Sequence, residues 1–202
     1  MENLLSEAIV PLETNRSIWD RVFTVHPLVI VGTRDKSGAY NLAPKHMAMP
    51  LGWHNYFTFV CCPGHTTYQN IKREKEFTVS YPQPMHLVHT SLTASPRCED
   101  DVKPGLAHLE QIPAENVDAT FLKDSYLYLE CRLHSFIDDF GENSLVIGHI
   151  IAAYANKEAL RYHDQDDHEL IHKNPLLAYL NPGRYTVISS SQSFPFPKGF
   201  KR

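Results

Sequence analysis

Between Pro27 and Tyr154 the apolar residues come in short β-branched or aromatic runs, each closed within a few positions by glycine, proline, asparagine or aspartate. Runs of that length alternate in and out of a sheet and are too short to lay a continuous stripe along a long helix. Residues 28–33 (LVIVGT) sit between Pro27 and the turn sequence Asp35-Lys36-Ser37-Gly38, which predicts a strand, a hairpin turn and a return over residues 40–43. Residues 56–62 predict a third strand stopped by Pro63-Gly64, and residues 76–81 a fourth. Residues 126–136 alternate from Leu127 onward, which puts Leu127, Leu129, Cys131 and Leu133 on one face. Their expected partner is residues 144–154, reached through a loop over 138–143, and a last strand is expected over 185–188.

Helices are expected to be short and inserted between strands: residues 66–73 behind a hydroxyl cap, 84–94 behind a proline, and 174–180. Residues 95–118 are polar and broken by prolines, and carry no assignment. The tail around Phe194-Pro195-Phe196-Pro197-Lys198 is expected to lie extended over a surface, with Lys198, Lys201 and Arg202 at a frayed end. The expectation is a mainly β, antiparallel, Greek-key-like barrel with short α insertions. It forms a single domain over residues 1–202, with a core at about 20–190 and an extended tail over 191–202.

Composition narrows the functions open to such a barrel. A net charge of −4 with both signs interspersed offers no electrostatic footprint for nucleic acid or an anionic membrane. No apolar run approaches the roughly 18–20 residues of a membrane helix. The N-terminus has acids at Glu2 and Glu7 and no basic-then-apolar leader pattern, so a soluble, cytoplasmic protein is expected. Cys61, Cys62, Cys98 and Cys131 make no C-x-x-C motif or zinc ladder and read as reduced thiols. There is no G-x-G-x-x-G, phosphate loop, G-x-S-x-G or H-E-x-x-H, which weighs against Rossmann, esterase and zincin chemistry. Residues 163–172 (HDQDDHELIH) place His168 and His172 on one helical face. They read either as a metal-binding face or as a solvated acidic loop running into a helix, and the pattern fixes no third ligand.

Two segments carry more chemistry when taken together. Gly38 to Met47 ends a strand with Asn41, Pro44 and then Lys45 and His46, both able to be cationic. Pro63 to Ile71 puts Thr66 and Thr67 at a helix start, where unpaired N–H groups and the helix dipole favour an anion such as phosphate. Lys45, His46 or His65 would add charge there, although a Thr-Thr helix start also serves simply as a cap.

These segments fall in an order that resembles the flavin reductase-like family. Residues 27–33, the turn 35–38 and Asn41-Leu42-Ala43-Pro44 resemble the family's G-x-x-N-x-A-P stretch. Residues 66–71 followed by 76–80 resemble its T-x-x-N-I and E-F-x-V-N stretches. Residues 129–133 and 145–150 resemble its later L-E-C-x-V and I-G-x-V strands, and residues 177–180 with Tyr185 its closing segment, so the likeness spans about residues 20–190. Departures are His46 where a serine is common, Ser80 where an asparagine is common, and residues 99–103 (EDDVK) in place of a D-K-F motif; they bear on substrate preference.

The resemblance implies a split β-barrel that binds flavin mononucleotide (FMN), takes NAD(P)H as co-substrate and forms a homodimer. It implies NAD(P)H-dependent reduction of flavin or another acceptor, with a flavin-storing barrel as the non-catalytic alternative. It places Asn41, Leu42, Ala43 and Pro44 along the isoalloxazine edge, with Lys45, His46 and Met47 continuing that wall. Thr66, Thr67 and Asn70 hold phosphate or ribityl oxygens with His65 beside them, and Cys62 and Pro63 end a strand next to the ring. His149, on one face with Ile147, is the candidate to meet nicotinamide or acceptor; otherwise it bonds a neighbouring strand or a second subunit.

Overall fold

A computed structural model of the chain describes residues 9–98, 102–162 and 164–200. It opens with β1 (Thr24–Pro27), a strand absent from the sequence expectation, followed by the hairpin of β2 (Val29–Arg34) and β3 (Tyr40–Lys45). Their turn closes as Gly38 N–H donates to the Asp35 carbonyl at 2.9 Å, with Gly38 at φ +87°. A short β4 (Ala48–Pro50), also unanticipated, precedes β5 (Tyr56–Cys61). After Pro63-Gly64 comes α1 (Thr66–Glu74), which carries Lys72 and Arg73 in its last turn and ends on a left-handed Lys75. β6 (Glu76–Pro82) follows at once.

The single helix expected over 84–94 is divided into a 3-10 turn, Pro84–His86, and α2 (Leu87–Leu92). The unassigned stretch contributes a 3-10 turn, Pro104–His108, and β7 (Gln111–Pro113), which pairs with β8 (Thr120–Leu122). β9 (Ser125–Phe140) and β10 (Asn143–Ala155) absorb most of the expected 138–143 loop, turning only at Gly141 and Glu142. The helix expected over 174–180 is a strand, β11 (Leu176–Asn181), pairing with β12 (Arg184–Ile188) and β1. The helix lies earlier, as α3 (Asp167–Lys173), where Asp166 accepts the cap bond from His168 N–H. Pro175 is the physical reason for the correction, because it disfavours helical geometry at Asn174 and ends α3 there.

Seven strands form one antiparallel sheet in the order β3-β2-β6-β9-β10-β5-β4. β3 and β4 are its two edges, yet only His46 and Met47 separate them in the chain. Two residues cannot cross an open seven-stranded sheet, so the sheet must curl until its edges meet. The interior of that curl is packed with Phe57, Phe59, Phe77, Val79, Leu129, Cys131 and Val146, and the Leu127 and Leu133 of the expected face pack against it. Phe59 meets Phe77 edge-on at 5.6 Å, and a Cβ on Gly148 would overlap the Phe77 ring. A second cluster, Ile30, Leu42, Leu109 and Leu122, seats the β7–β8 flap on β2 and β3. Gly32 is required at that seat, since a Cβ there would overlap the Thr120 carbonyl. Among the described residues no helix is long and apolar enough to cross a membrane.

Candidate functional site

The site is built where β3, the start of α1 and the chain after α2 come together. The Cys62 carbonyl accepts from His65 N–H at 3.0 Å, making the turn that launches α1. His65 occupies the cap position without a side-chain cap bond, and the first turn holds no acidic residue. The opening N–H groups of this nine-residue helix are therefore aimed outward with no side-chain acceptor provided by the cap. Thr66 is half-buried and Thr67 buried, and both border a cavity of about 480 Å³. Across it stand Asn41, Ala43, Pro44 and Lys45 of β3, with Arg97 and Lys103 completing the wall.

The cavity floor is a polar network. The Asp35 carboxylate accepts from Asn70 Nδ2 at 2.6 Å and from Arg97 Nη2 at 3.1 Å. Arg97 Nη2 also donates to Asn41 Oδ1 at 3.0 Å, and Asn70 Nδ2 to Thr33 Oγ1 at 3.0 Å. Asn41 and Asn70 are buried, so these bonds fix both amides and leave Arg97 a single orientation. Lys103 Nζ donates to the carbonyls of Leu42 at 2.9 Å and Thr93 at 2.7 Å. Burial, followed by the charges of Arg97 and Lys45, holds its ammonium down at about 8. Lys45, Arg97 and Lys103 line the cavity, with Arg97 alone of the three hydrogen-bonded to the Asp35 carboxylate among the contacts described, and two hydroxyls and a helix start stand beside them. That donor set suits a phosphate.

Of the residues singled out in the sequence, Asn41, Ala43, Pro44, Lys45, His65, Thr66 and Thr67 meet around this cavity, and Asn70 lies under it. Leu42 turns its side chain into the core and offers its carbonyl to Lys103. Cys62 and Pro63 are half-buried at the strand end, and the Pro63 carbonyl accepts from Gln69 Nε2. His46 leaves the cavity wall. Its ring packs 4.5 Å from Tyr179 and 5.7 Å from His26, and its buried Nε2 has no hydrogen-bond partner. Burial, then the charges of His26 and Lys45, keeps that imidazole below its usual titration range. Met47 is exposed.

His149 shares its face with Ile147 as expected but does not border the cavity. Gly148 turns inward to Phe77, which sends His149 to the outer face. There it lies exposed beside Tyr56 at 5.1 Å, with His134 on the same tyrosine.

Asp35, Arg97 and Lys103 were not among the sequence candidates. Asp35 reads as a turn residue, and the two cations lie in the stretch without periodicity, where spacing gives no signal. Within residues 163–172, His163 lies outside the described residues; Asp167 is held by Arg161, and His168 Nδ1 contacts the Ser191 carbonyl. Among the described residues no group of three or more histidine, cysteine, aspartate or glutamate side chains is placed to hold a metal ion. Of the departures at residues 99–103, Glu99, Asp100 and Asp101 also lie outside the described residues, whereas Lys103 is central to the site.

A family model described as a flavin reductase like domain matches residues 22–181. Among solved structures, nitrilotriacetate monooxygenase component B from Bacillus cereus superposes with a TM-score of 0.78 at 16% identity, covering 94% of this chain and 100% of that one. Flavoredoxin from Methanosarcina acetivorans gives 0.75 at 21%, covering 95% and 97%. An FMN-binding protein from Thermus thermophilus, with bound p-hydroxybenzaldehyde, gives 0.69 at 17%, covering 96% and 100%. At these identities the likeness is one of fold, the split barrel.

Proposed function

The chain belongs to the flavin reductase-like family, and from that premise we propose that it is an FMN-dependent oxidoreductase that takes its electrons from NAD(P)H. The observation that carries the reading is the donor set around the cavity: Thr66, Thr67 and the α1 start on one side, Lys45, Arg97 and Lys103 on the other. Those residues fit the phosphate of FMN in charge and in hydrogen-bond sense. The end of β3, from Asn41 to Pro44, offers main-chain groups to the ring edge while Leu42 anchors the strand in the core. FMN, when bound, supplies hydride and electron transfer at its ring. The protein's part is to grip the phosphate, orient the ring and keep Arg97 in place through Asp35 and Asn41.

The working form in this proposal is a homodimer. Trp53, Phe23, Met49 and Trp19 are all exposed, an unusual apolar load for a surface that meets only water. The four cysteines are free thiols, which supports a cytoplasmic setting.

The deciding experiment is the visible absorbance of the purified protein before and after NADH or NADPH is added without oxygen. A flavin spectrum that bleaches supports the reductase reading. One that stays oxidised selects the storage or carrier function instead. A colourless protein that takes up no added FMN ends the flavin reading.

A further inference from the structure

The two-residue link that closes the barrel carries an unsatisfied group. Lys45 ends β3 opposite Val29 of β2, and the Met47 carbonyl accepts from Val60 N–H of β5 at 2.9 Å. Between those anchors Met47 is exposed, and His46 turns away from the cavity toward the sheet of β1, β11 and β12. His26 and Tyr179 stand opposite each other in the β1–β11 register, and both meet the His46 ring. Tyr179 lies tilted against it at 4.5 Å and His26 edge-on at 5.7 Å. Among the described residues, His46 Nε2 is the one buried side-chain nitrogen or oxygen without a hydrogen-bond partner.

A neutral imidazole with Nε2 bare fits this place. A protonated ring does not, because it brings an N–H donor and a positive charge to a spot that offers no acceptor. The groups facing the ring add to the mismatch. From β1 comes His26, whose Nε2 is 2.8 Å from Thr24 Oγ1; from β3 comes the Lys45 ammonium; from β11 comes the Tyr179 phenol, with Tyr185 of β12 opposite it. Burial and the two neighbouring cations oppose a charge on the ring, and no carboxylate of the described residues favours one. Resting on the reading of the cavity as the flavin site, we propose that His46 is a positioning residue. The neutral ring, clamped between Tyr179 and His26, holds Lys45 in the cavity wall, and protonation frees the link and loosens the grip on flavin. His46 acts through Lys45, its neighbour in the chain, which borders the cavity.

The test uses the full-length protein, titrated with FMN by flavin fluorescence at about pH 7.5 and about pH 5.5, on either side of the ordinary histidine value. Wild type is compared with His46→Phe, which keeps an aromatic ring against Tyr179 and takes no proton. His46→Gln, also uncharged, serves if the phenylalanine variant does not fold. Protonation of the FMN phosphate or of another histidine acts on all three proteins alike, so the quantity read is the ratio of wild-type to variant affinity. The expected result is that this ratio drops by about threefold or more on acidification. Thermal unfolding of the flavin-free proteins should show wild type losing Tm relative to the variants over the same interval. Below about 6.5 the unfolded chain binds a proton that the folded chain excludes. A ratio that stays constant overturns the proposal. If Tm alone follows pH, His46 serves stability and does not position Lys45, which overturns it too. If wild type takes up no FMN at either pH, the flavin reading of the cavity fails first and the positioning role falls with it.

Discussion

Two carboxylates are sunk into this barrel, and their surroundings could hardly differ more. Asp35 is answered by side chains, the Arg97 guanidinium and the Asn70 amide, at the floor of the large cavity. Glu130, fully buried on β9, is answered chiefly by main chain, Glu115 N–H at 2.9 Å and Asn116 N–H at 2.7 Å, with one side-chain donor, the Tyr154 hydroxyl, at 3.1 Å. The space beside it is about 180 Å³ and walled by Ile112, Pro113 and Phe121. A buried carboxylate that orients a cation toward open space prepares a place for an anion. One held chiefly by backbone donors pins a loop, here the link between β7 and β8, and Thr120 at the start of β8 lies against Gly32. Both are charge buried in a barrel, but the first serves binding and the second stability.

The largest effect should come from the second. Glu130→Ala removes a buried charged acceptor from two part-buried backbone N–H bonds, and a hydrogen bond to a charged group is worth about 1.5–3 kcal/mol, so a loss of about 3 kcal/mol is expected. For a chain of this length that corresponds to roughly 6–12 °C in Tm, read by thermal unfolding. FMN affinity of the folded fraction should not change. A Tm shift below about 2 °C would show that the loop finds other acceptors, and the staple reading would be lost.

Arg97→Ala tests the other half of the comparison. Charge-assisted bonds are worth about 1.5–3 kcal/mol, so FMN should bind roughly ten- to hundredfold more weakly. Riboflavin, which lacks the phosphate, should be affected far less, and Tm should fall less than for Glu130→Ala. Equal weakening of FMN and riboflavin would mean that Arg97 shapes the cavity without gripping phosphate.

The two regions were not equally legible in the sequence. The barrel strands were, because β6 and β9 keep their apolar residues at period two, while β2, β5 and β10 are short β-branched or aromatic runs, and all of them stop at turn residues. One wall of the site was legible for the same reason, since Asn41, Pro44, Thr66 and Thr67 sit at element ends that the pattern marks. Arg97, Lys103 and Asp35 were not, because their roles come from side-chain bonds between segments far apart in the chain, and no periodicity records those. β11 was misread as a helix because short apolar runs fit either period; pairing with β1 and β12 decides the matter. The contrast between Asp35 and Glu130 was equally hidden. Neither a turn aspartate nor a strand glutamate shows in sequence whether it will bond a guanidinium or a loop.

A smaller effect follows from Lys103. Its ammonium is held at about 8 in the free protein, and only the protonated form attracts phosphate. FMN affinity should therefore fall as pH rises through about 8, by at most about tenfold per pH unit. Lys103→Met should bind more weakly below that pH and lose the dependence. The same depression has the opposite sign for folding. Between about 8 and the ordinary lysine range the unfolded chain binds the extra proton, so the free protein should gain stability with rising pH over that window. A flat FMN profile in wild type would show that Lys103 lies outside the reach of the phosphate.

The smallest effect is also the sharpest test of the staple. The Tyr154 hydroxyl donates to Glu130, and lost hydration, followed by the Glu130 and Glu115 carboxylates, pushes it up to about 12. It therefore keeps its proton through the mildly alkaline range and continues to donate there. Tyr154→Phe removes this donor but leaves both backbone N–H bonds to Glu130 intact. If the main chain carries the staple, Tyr154→Phe should lower Tm by only a small fraction of the Glu130→Ala loss, and ionisation-difference absorbance should show one late-titrating tyrosine fewer. If instead the two variants unfold at the same temperature, Glu130 depends on a side-chain partner as Asp35 does. The distinction between a carboxylate that binds and one that holds would then have to rest on the size of the neighbouring cavity.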